Sequence, residues 1–108
     1  MKVVKEYKNK FGDYHREDGP AVEYEDGSKA WYLDGKRHRE GGPAVEWFDG
    51  DKAWYLDGVF HREGGPAIER SSGYKAWYLN GVNYTEEEFK RKTAYLKTSV
   101  GRLLYENS

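Results

Sequence analysis

Short runs of alternating apolar and polar residues, separated by Asp-Gly pairs, organise this chain. Ala21-Val22-Glu23-Tyr24-Glu25 alternates, Asp26-Gly27 follows, Ser28 to Leu33 forms a second run, and Asp34-Gly35 closes it. A period of two marks a strand with one covered face. Asp-Gly between such runs predicts a two-residue hairpin loop, because the type I′ turn needs positive φ at both central residues. Asp49-Gly50, Asp57-Gly58 and Asn80-Gly81 carry the same signal, and Ser71-Ser72-Gly73 is a looser form of it.

The runs recur at a fixed offset. His15-Arg16-Glu17-Asp18-Gly19-Pro20-Ala21 returns as His38-Arg39-Glu40-Gly41-Gly42-Pro43-Ala44 and as His61-Arg62-Glu63-Gly64-Gly65-Pro66-Ala67, 23 residues apart each time. Lys29-Ala30-Trp31-Tyr32-Leu33-Asp34-Gly35 returns as Lys52-Ala53-Trp54-Tyr55-Leu56-Asp57-Gly58 and Lys75-Ala76-Trp77-Tyr78-Leu79-Asn80-Gly81. Identity at one offset marks a repeat in which each unit is completed by its neighbour. Two turns per period give two strands per unit. Gly-Gly-Pro bends the chain after the second strand, since Pro43 lacks an amide hydrogen and the glycines permit a sharp change of direction. The expected fold is mainly β: a repetitive antiparallel β-meander of stacked hairpins with a 23-residue period and a short C-terminal capping helix. With strands about 4.8 Å apart, equivalent residues of successive units should lie roughly 10 Å apart.

If both Asp-Gly turns are two-residue loops, Trp31 stands opposite Val22 on one side and His38 on the other. Val22, Tyr24, Trp31, Leu33 and His38 then share one face, as do Val45, Trp47, Trp54, Leu56 and His61 in the second unit, and Ile68, Trp77 and Tyr84 in the third. This Trp/Leu face is the expected core. The opposite face would carry Ala21, Glu23, Ala30, Tyr32, Arg37 and Arg39, with a stripe of Tyr32, Tyr55 and Tyr78 beside Glu23, Glu46 and Glu69.

One domain over residues 1–108 is expected: an irregular N-terminal strand at 1–11 with Tyr7 turned inward, repeats over 12–84, and a helical cap and tail at 85–108. Thr85 and Glu88 have the spacing of a capping box, Tyr84 and Phe89 that of a hydrophobic staple, and three glutamates fall where the helix dipole favours negative charge. Phe89, Thr93 and Leu96 share a helical face that would cover the last Trp/Leu layer. Gly101 fits either a helix end or an earlier turn, and Leu103, Leu104 and Tyr105 fit either a final strand or a packed tail.

Composition refines this picture. Aromatic residues make up 17% of the 108, against 37% hydrophobic, a load that disordered chains lack. The formal net charge is −1, with no basic stripe of the kind that nucleic-acid binders show. The absence of Cys excludes disulfides and thiolate chemistry. Neither a signal-peptide core nor a run of membrane-spanning length is visible, so a cytoplasmic location is the expectation.

His15, His38 and His61 invite a metal or catalytic reading. Ligands roughly 10 Å apart cannot share one zinc ion at about 2 Å, and three residues in identical settings do not supply the different roles that catalysis needs. They fit half-buried partners of a Trp and of a backbone or carboxylate group. Arg16, Arg39 and Arg62 fit pairing with Glu17, Glu40 or Glu63 or with the bent backbone, beside a reading as anion-binding forks. Gly-Gly-Pro does not match a phosphate-cradling loop. No catalytic, metal or cofactor-binding residue is predicted, and the chain reads as non-enzymatic. A solvated sheet face does not require a tyrosine in every unit, and Tyr and Arg are enriched at interface hot spots. The candidate partner-binding set is Tyr32, Tyr55, Tyr78, Arg37, Arg39, Arg62, Phe60 and Glu46.

The unit from Trp31 to Ala44 resembles the MORN-like repeats of bacterial and phage proteins, over about residues 12–84. The usual Tyr-x-Gly opening is replaced by Trp31-Tyr32-Leu33-Asp34-Gly35 and the later Gly-x-Gly by His-Arg-Glu-Gly-Gly-Pro. The resemblance implies hairpin repeats and a scaffolding or interaction role. It also suggests a specific form, a small phage inhibitor of a host nuclease or CRISPR complex in the host cytoplasm. The expected function is protein–protein interaction without cofactor, membrane or direct nucleic-acid contact. The alternatives are a generic structural scaffold and a nucleic-acid binder, with monomer and homodimer both open.

Overall fold

The structure, a computed structural model, describes residues 2–106; Met1 and the last two residues of the expected tail lie outside them. The chain is mainly β and ends in two helices. Its strands are β1 (Val3–Glu6), β2 (Val22–Tyr24), β3 (Lys29–Ala30), β4 (Tyr32–Leu33), β5 (Lys36–Arg37), β6 (Val45–Glu46), β7 (Lys52–Ala53), β8 (Tyr55–Leu56), β9 (Val59–Phe60), β10 (Ile68–Glu69), β11 (Lys75–Leu79) and β12 (Val82–Tyr84), followed by α1 (Glu86–Leu96) and α2 (Ser99–Glu106). An eight-stranded antiparallel sheet runs in the order β1-β2-β3-β6-β7-β10-β11-β12, while β4-β5 and β8-β9 form two-stranded hairpins beside it.

The two kinds of Asp-Gly turn differ, and the difference corrects the expected register. At Asp34-Gly35, Asp57-Gly58 and Asn80-Gly81 both central residues have positive φ, the type I′ geometry, and Tyr32 pairs with Arg37, Tyr55 with Phe60 and Tyr78 with Asn83. At Asp26-Gly27 only the glycine is left-handed, at φ 92°. The Tyr24 N–H donates to the Ser28 carbonyl, and the Asp26 carboxylate accepts from the Ser28 N–H at 2.8 Å. This is a three-residue loop, a type I turn closed by a left-handed glycine. It pairs Val22 with Ala30 instead of Trp31. Val45 with Ala53 and Ile68 with Ala76 follow the same register. A slip of one residue moves a strand's side chains to the other face. Val22, Tyr24, Ala30, Tyr32 and Arg37 therefore share one face, and Trp31, Leu33, His38 and Arg39 the other.

The core moves accordingly. Val22, Ala30, Val45, Ala53 and Ala76 are buried, whereas Trp31, Trp54 and Trp77 are only partly covered. The centre of the sheet is thus a ladder of small apolar residues beneath the tyrosine face, not the indole layer. On the Trp side the register alternates charge across the strands, setting Glu23 against Lys29, Lys29 against Glu46, Glu46 against Lys52, Lys52 against Glu69 and Glu69 against Lys75, the favourable cross-strand arrangement.

The two ends depart from the repeated units. The Tyr7 N–H donates to the Ala21 carbonyl and its carbonyl accepts from His15, the same bonds that Trp31 makes with Ala44 and His38. Tyr7 thus takes the place of an indole at the first edge, with the Arg16 guanidinium 4.1 Å above its ring. At the far edge Thr85 caps α1 in a reciprocal capping box with Glu88. Leu79, Phe89 and Leu96 form a buried cluster with Trp77, Tyr84 and Tyr105 packed against it, so α1 covers the third indole as its spacing predicts. Leu103, Leu104 and Tyr105 belong to α2. Gly101 sits inside that helix, where a β-carbon would strike the Tyr95 carbonyl. Arg102 ties α2 to the third His-Arg-Glu segment through Glu63 at 2.9 Å.

Candidate functional site

Each of the three histidines holds a turn. Nδ1 of His15 accepts from the Asp34 N–H at 2.9 Å, that of His38 from Asp57 at 3.0 Å, and that of His61 from Asn80 at 2.9 Å. Each imidazole fastens one hairpin turn to the preceding copy of the sequence motif, 19 residues back. An Nδ1 that accepts leaves Nε2 to carry the proton, and Nε2 of His61 lies 3.6 Å from Glu63. Among the described residues no group of three His, Asp or Glu side chains could hold a metal ion.

Arg39 and Arg62, two of the candidate binding residues, are also committed to the framework. The Arg39 guanidinium lies 3.9 Å over the Trp31 ring and donates to the Pro43 carbonyl and to Glu46, both at 3.0 Å. Arg62 repeats this with Trp54 at 3.8 Å, Pro66 at 3.0 Å and Glu69 at 2.6 Å. Their carboxylate partners are Glu46 and Glu69, not the expected Glu40 and Glu63, because the bend folds the arginine back onto the following strand. Arg16 differs, pairing with Asp18 at 3.0 Å while keeping its bond to Pro20. Gly42 accounts for the second glycine of the motif: a β-carbon there would stand 2.9 Å from the Arg39 guanidinium carbon. Arg39, Arg62 and Glu46 thus lie on the Trp side, in correction of the shared face expected for them and the tyrosines.

Tyr32, Tyr55, Tyr78, Arg37 and Phe60 do come together. Tyr14 packs on Tyr32 with centroids 5.3 Å apart. Arg37 reaches the Tyr32 hydroxyl at 3.4 Å and the Tyr55 hydroxyl at 3.1 Å. Tyr55 packs on Phe60 at 4.6 Å, and Phe60 on Tyr78 at 4.9 Å. The result is one continuous stripe in which rings from adjacent copies interdigitate. Burial raises the Tyr14 and Tyr24 pKa values above the ordinary phenol value, helped by a hydrogen bond to Glu6 at Tyr14 and by the neighbouring Tyr32 at Tyr24. Burial works against the Arg37 charge, but its bonds to the two hydroxyls outweigh that and hold its pKa above the usual value.

Next to the stripe is a cavity of about 220 Å³ whose lining includes Arg37, Trp47, Tyr55, Phe60, Ile68 and Arg70. Trp47 and Arg70 are the residues that the sequence reading missed, along with Tyr14 and Tyr24 of the same face. Tyr24, Trp47 and Arg70 stand 23 residues apart, and the two-residue turn assignment had sent this position to the opposite side. The signal for placing them was Glu25-Asp26-Gly27 read as a three-residue loop. The Trp side has grooves between successive His-Arg-Glu loops, one floored by Trp31 and Leu33 and one by Trp54 and Leu56.

Among the described residues no helix is long and apolar enough to cross a membrane. Comparison with family models, curated proteins and solved structures finds no match to this chain.

Proposed function

We propose that this chain is a rigid, non-enzymatic repeat scaffold, a β-meander of 23-residue units, whose tyrosine face binds a partner protein. The matching registers of Val22 with Ala30, Val45 with Ala53 and Ile68 with Ala76 support the repeat reading. The binding reading rests on the stripe from Tyr14 to Tyr78. It is continuous, partly exposed and built of the side chains that dominate interface hot spots, and its rings are braced against one another, which lowers the entropy lost on binding. A phage inhibitor of a host nuclease or CRISPR effector is one specific form of this function, and a scaffold within a larger assembly is another.

The test is retention of a defined complex from host lysate on the immobilised protein, compared with Tyr55→Ala after circular dichroism establishes that the variant is folded. Loss of the complex with Tyr55→Ala supports the reading. Retention unaffected by Tyr55→Ala and Tyr32→Ala, or recovery of nucleic acid in its place with steep salt dependence, overturns it.

A further inference from the structure

The arginines outside the helices fall into two groups. Arg16, Arg39 and Arg62 each have a carboxylate partner. Arg37 and Arg70 have none within ion-pair distance among the described residues. Arg37 is held by tyrosine hydroxyls, and Arg70 lies 5.0 Å over the Tyr74 ring. Both line the cavity beside Trp47, Tyr55, Phe60 and Ile68. Arg37 is partly buried, and a guanidinium fork matches the geometry of a carboxylate or phosphate.

Asp49 and Asp51 also line the cavity, but both serve turns. Asp49 accepts from the Asp51 N–H at 3.0 Å and Asp51 from the Ser71 N–H at 2.7 Å. Lys52 also lines the cavity, but its side chain is set between Glu46 and Glu69 on the Trp side, so the cations offered to an occupant are Arg37 and Arg70. At about 220 Å³ the space is below the about 300–1,000 Å³ of small-molecule and cofactor sites; it suits one or two amino-acid side chains. The apolar rings and the unpaired cations together specify a mixed occupant.

We propose that this cavity receives an acidic side chain of a partner protein, an Asp or Glu adjacent to a large apolar residue, with the carboxylate meeting Arg37 and Arg70 and the apolar neighbour lying against Trp47 and Phe60. This rests on the protein-binding reading of the tyrosine face and names the chemistry of the partner segment.

A displayed library of random heptapeptides, selected on the full chain, tests it. The expected result is enrichment of an acidic residue next to an aromatic or large aliphatic one. A selected peptide should shift the Trp47 indole N–H and the Arg37 and Arg70 Nε–H signals in NMR spectra. Its affinity should fall about tenfold or more when Arg70→Gln removes the charge, and by a similar factor when its own acid is replaced by the amide. Arg70 makes no framework ion pair, so Arg70→Gln remains interpretable if Arg37→Gln destabilises the fold. Peptides without acidic enrichment, peptides that bind Arg70→Gln equally well, or a failure to select any peptide overturn the pocket assignment. Peptides that map elsewhere on the stripe overturn it while leaving the protein-binding function standing. Displacement of the selected peptide by a nucleoside monophosphate at lower concentration than by N-acetylglutamate also overturns it, in favour of a phosphate ligand.

Discussion

Replacing Arg62 tests the account of how the motif holds itself together. Its guanidinium stacks 3.8 Å over Trp54, donates to the Pro66 carbonyl at 3.0 Å and pairs with Glu69 at 2.6 Å. A partly desolvated cation–π contact contributes about 1 kcal/mol, and the charge-assisted bond to a carbonyl about 1.5 kcal/mol. The ion pair is part-exposed on both sides and adds about 0.5 kcal/mol. Against this, fixing the long side chain costs about 1–2 kcal/mol of rotamer entropy. Arg62→Ala should therefore lower stability by about 1–2 kcal/mol, with exposure of Trp54 included in the loss. Arg62→Lys keeps the charge but not the flat fork, and should lose more than half as much. Urea unfolding followed by tryptophan fluorescence and by circular dichroism measures both. A double-mutant cycle with Glu69→Gln should return a coupling of about 0.5 kcal/mol. An Arg62→Ala protein within about 0.3 kcal/mol of wild type would refute the bracing role. Because Arg62 lies on the Trp side, the folded variant should still bind through the tyrosine face; loss of binding without loss of stability would refute the division of labour between the faces.

Other expectations follow from single contacts. Arg102 first, and His61 after it, hold the Glu63 carboxyl below the ordinary carboxylate range; its stabilising effect is present above about 4.5, its unfolded value, and is lost as pH falls through the lower folded value. Wild type should thus exceed Glu63→Gln in stability at neutral pH, with the gap closing in acid, as thermal melts across a pH series would show. Gly64 has nothing within 4 Å of an added β-carbon and no left-handed φ, whereas Gly42 would press a methyl 2.9 Å from Arg39. Gly64→Ala should be neutral or stabilising by about 0.5 kcal/mol, and Gly42→Ala destabilising by about 1–2 kcal/mol, by chemical denaturation. Thr85→Ala removes the side chain that accepts the Glu88 N–H at 3.1 Å. It should lower stability by about 1 kcal/mol, and hydrogen exchange should quicken in the first turn of α1.

The strands, the chain reversals and the start of α1 were legible because each has a local cause. Alternation marks strands, a Thr three residues before a Glu marks a helix start, and an Asn-Gly or Asp-Gly pair marks a reversal. What was not legible was which Asp-Gly closes over two residues and which over three. Asp34-Gly35 and Asp26-Gly27 are identical pairs. The first has both residues left-handed, while in the second Asp26 holds the Ser28 amide and leaves only Gly27 at positive φ. The pair alone does not distinguish the two, and the difference carries Trp47 and Arg70 to the tyrosine face. The helical state of Leu103 and Leu104 was likewise out of reach, since Gly101 discourages a helix locally and is tolerated because α2 approaches the Tyr95 carbonyl at that point.

Apart from Tyr32, Tyr55 and Tyr78, which recur in every copy and lie in the stripe, the repeated letters and the site divide, and the division has a physical reason. His38, Trp54 and His61 recur because each makes a bond or a stack that closes one copy of the motif onto the next, Arg39 and Pro43 because they bond across the bend, and Gly42 because a β-carbon there would press on Arg39. A residue held in that way has its donors, acceptors and ring face already occupied, so little of it is left for a partner. The tyrosine face carries two sets of positions that differ between copies: Tyr14, Arg37, Phe60 and Asn83 at one, Tyr24, Trp47 and Arg70 at the other. Val22 with Ala30, Val45 with Ala53 and Ile68 with Ala76 pair in one register beside these positions, so changing them alters shape and charge at little structural cost. The cavity exists where Trp47 meets Arg70 and Arg37 meets Phe60, a combination that occurs once in the chain. A scaffold of identical hairpins would offer a partner the same surface several times over, with nothing to fix its register. Variation at these two positions removes that degeneracy, so a segment seated against Arg37, Trp47, Phe60 and Arg70 has one place to dock.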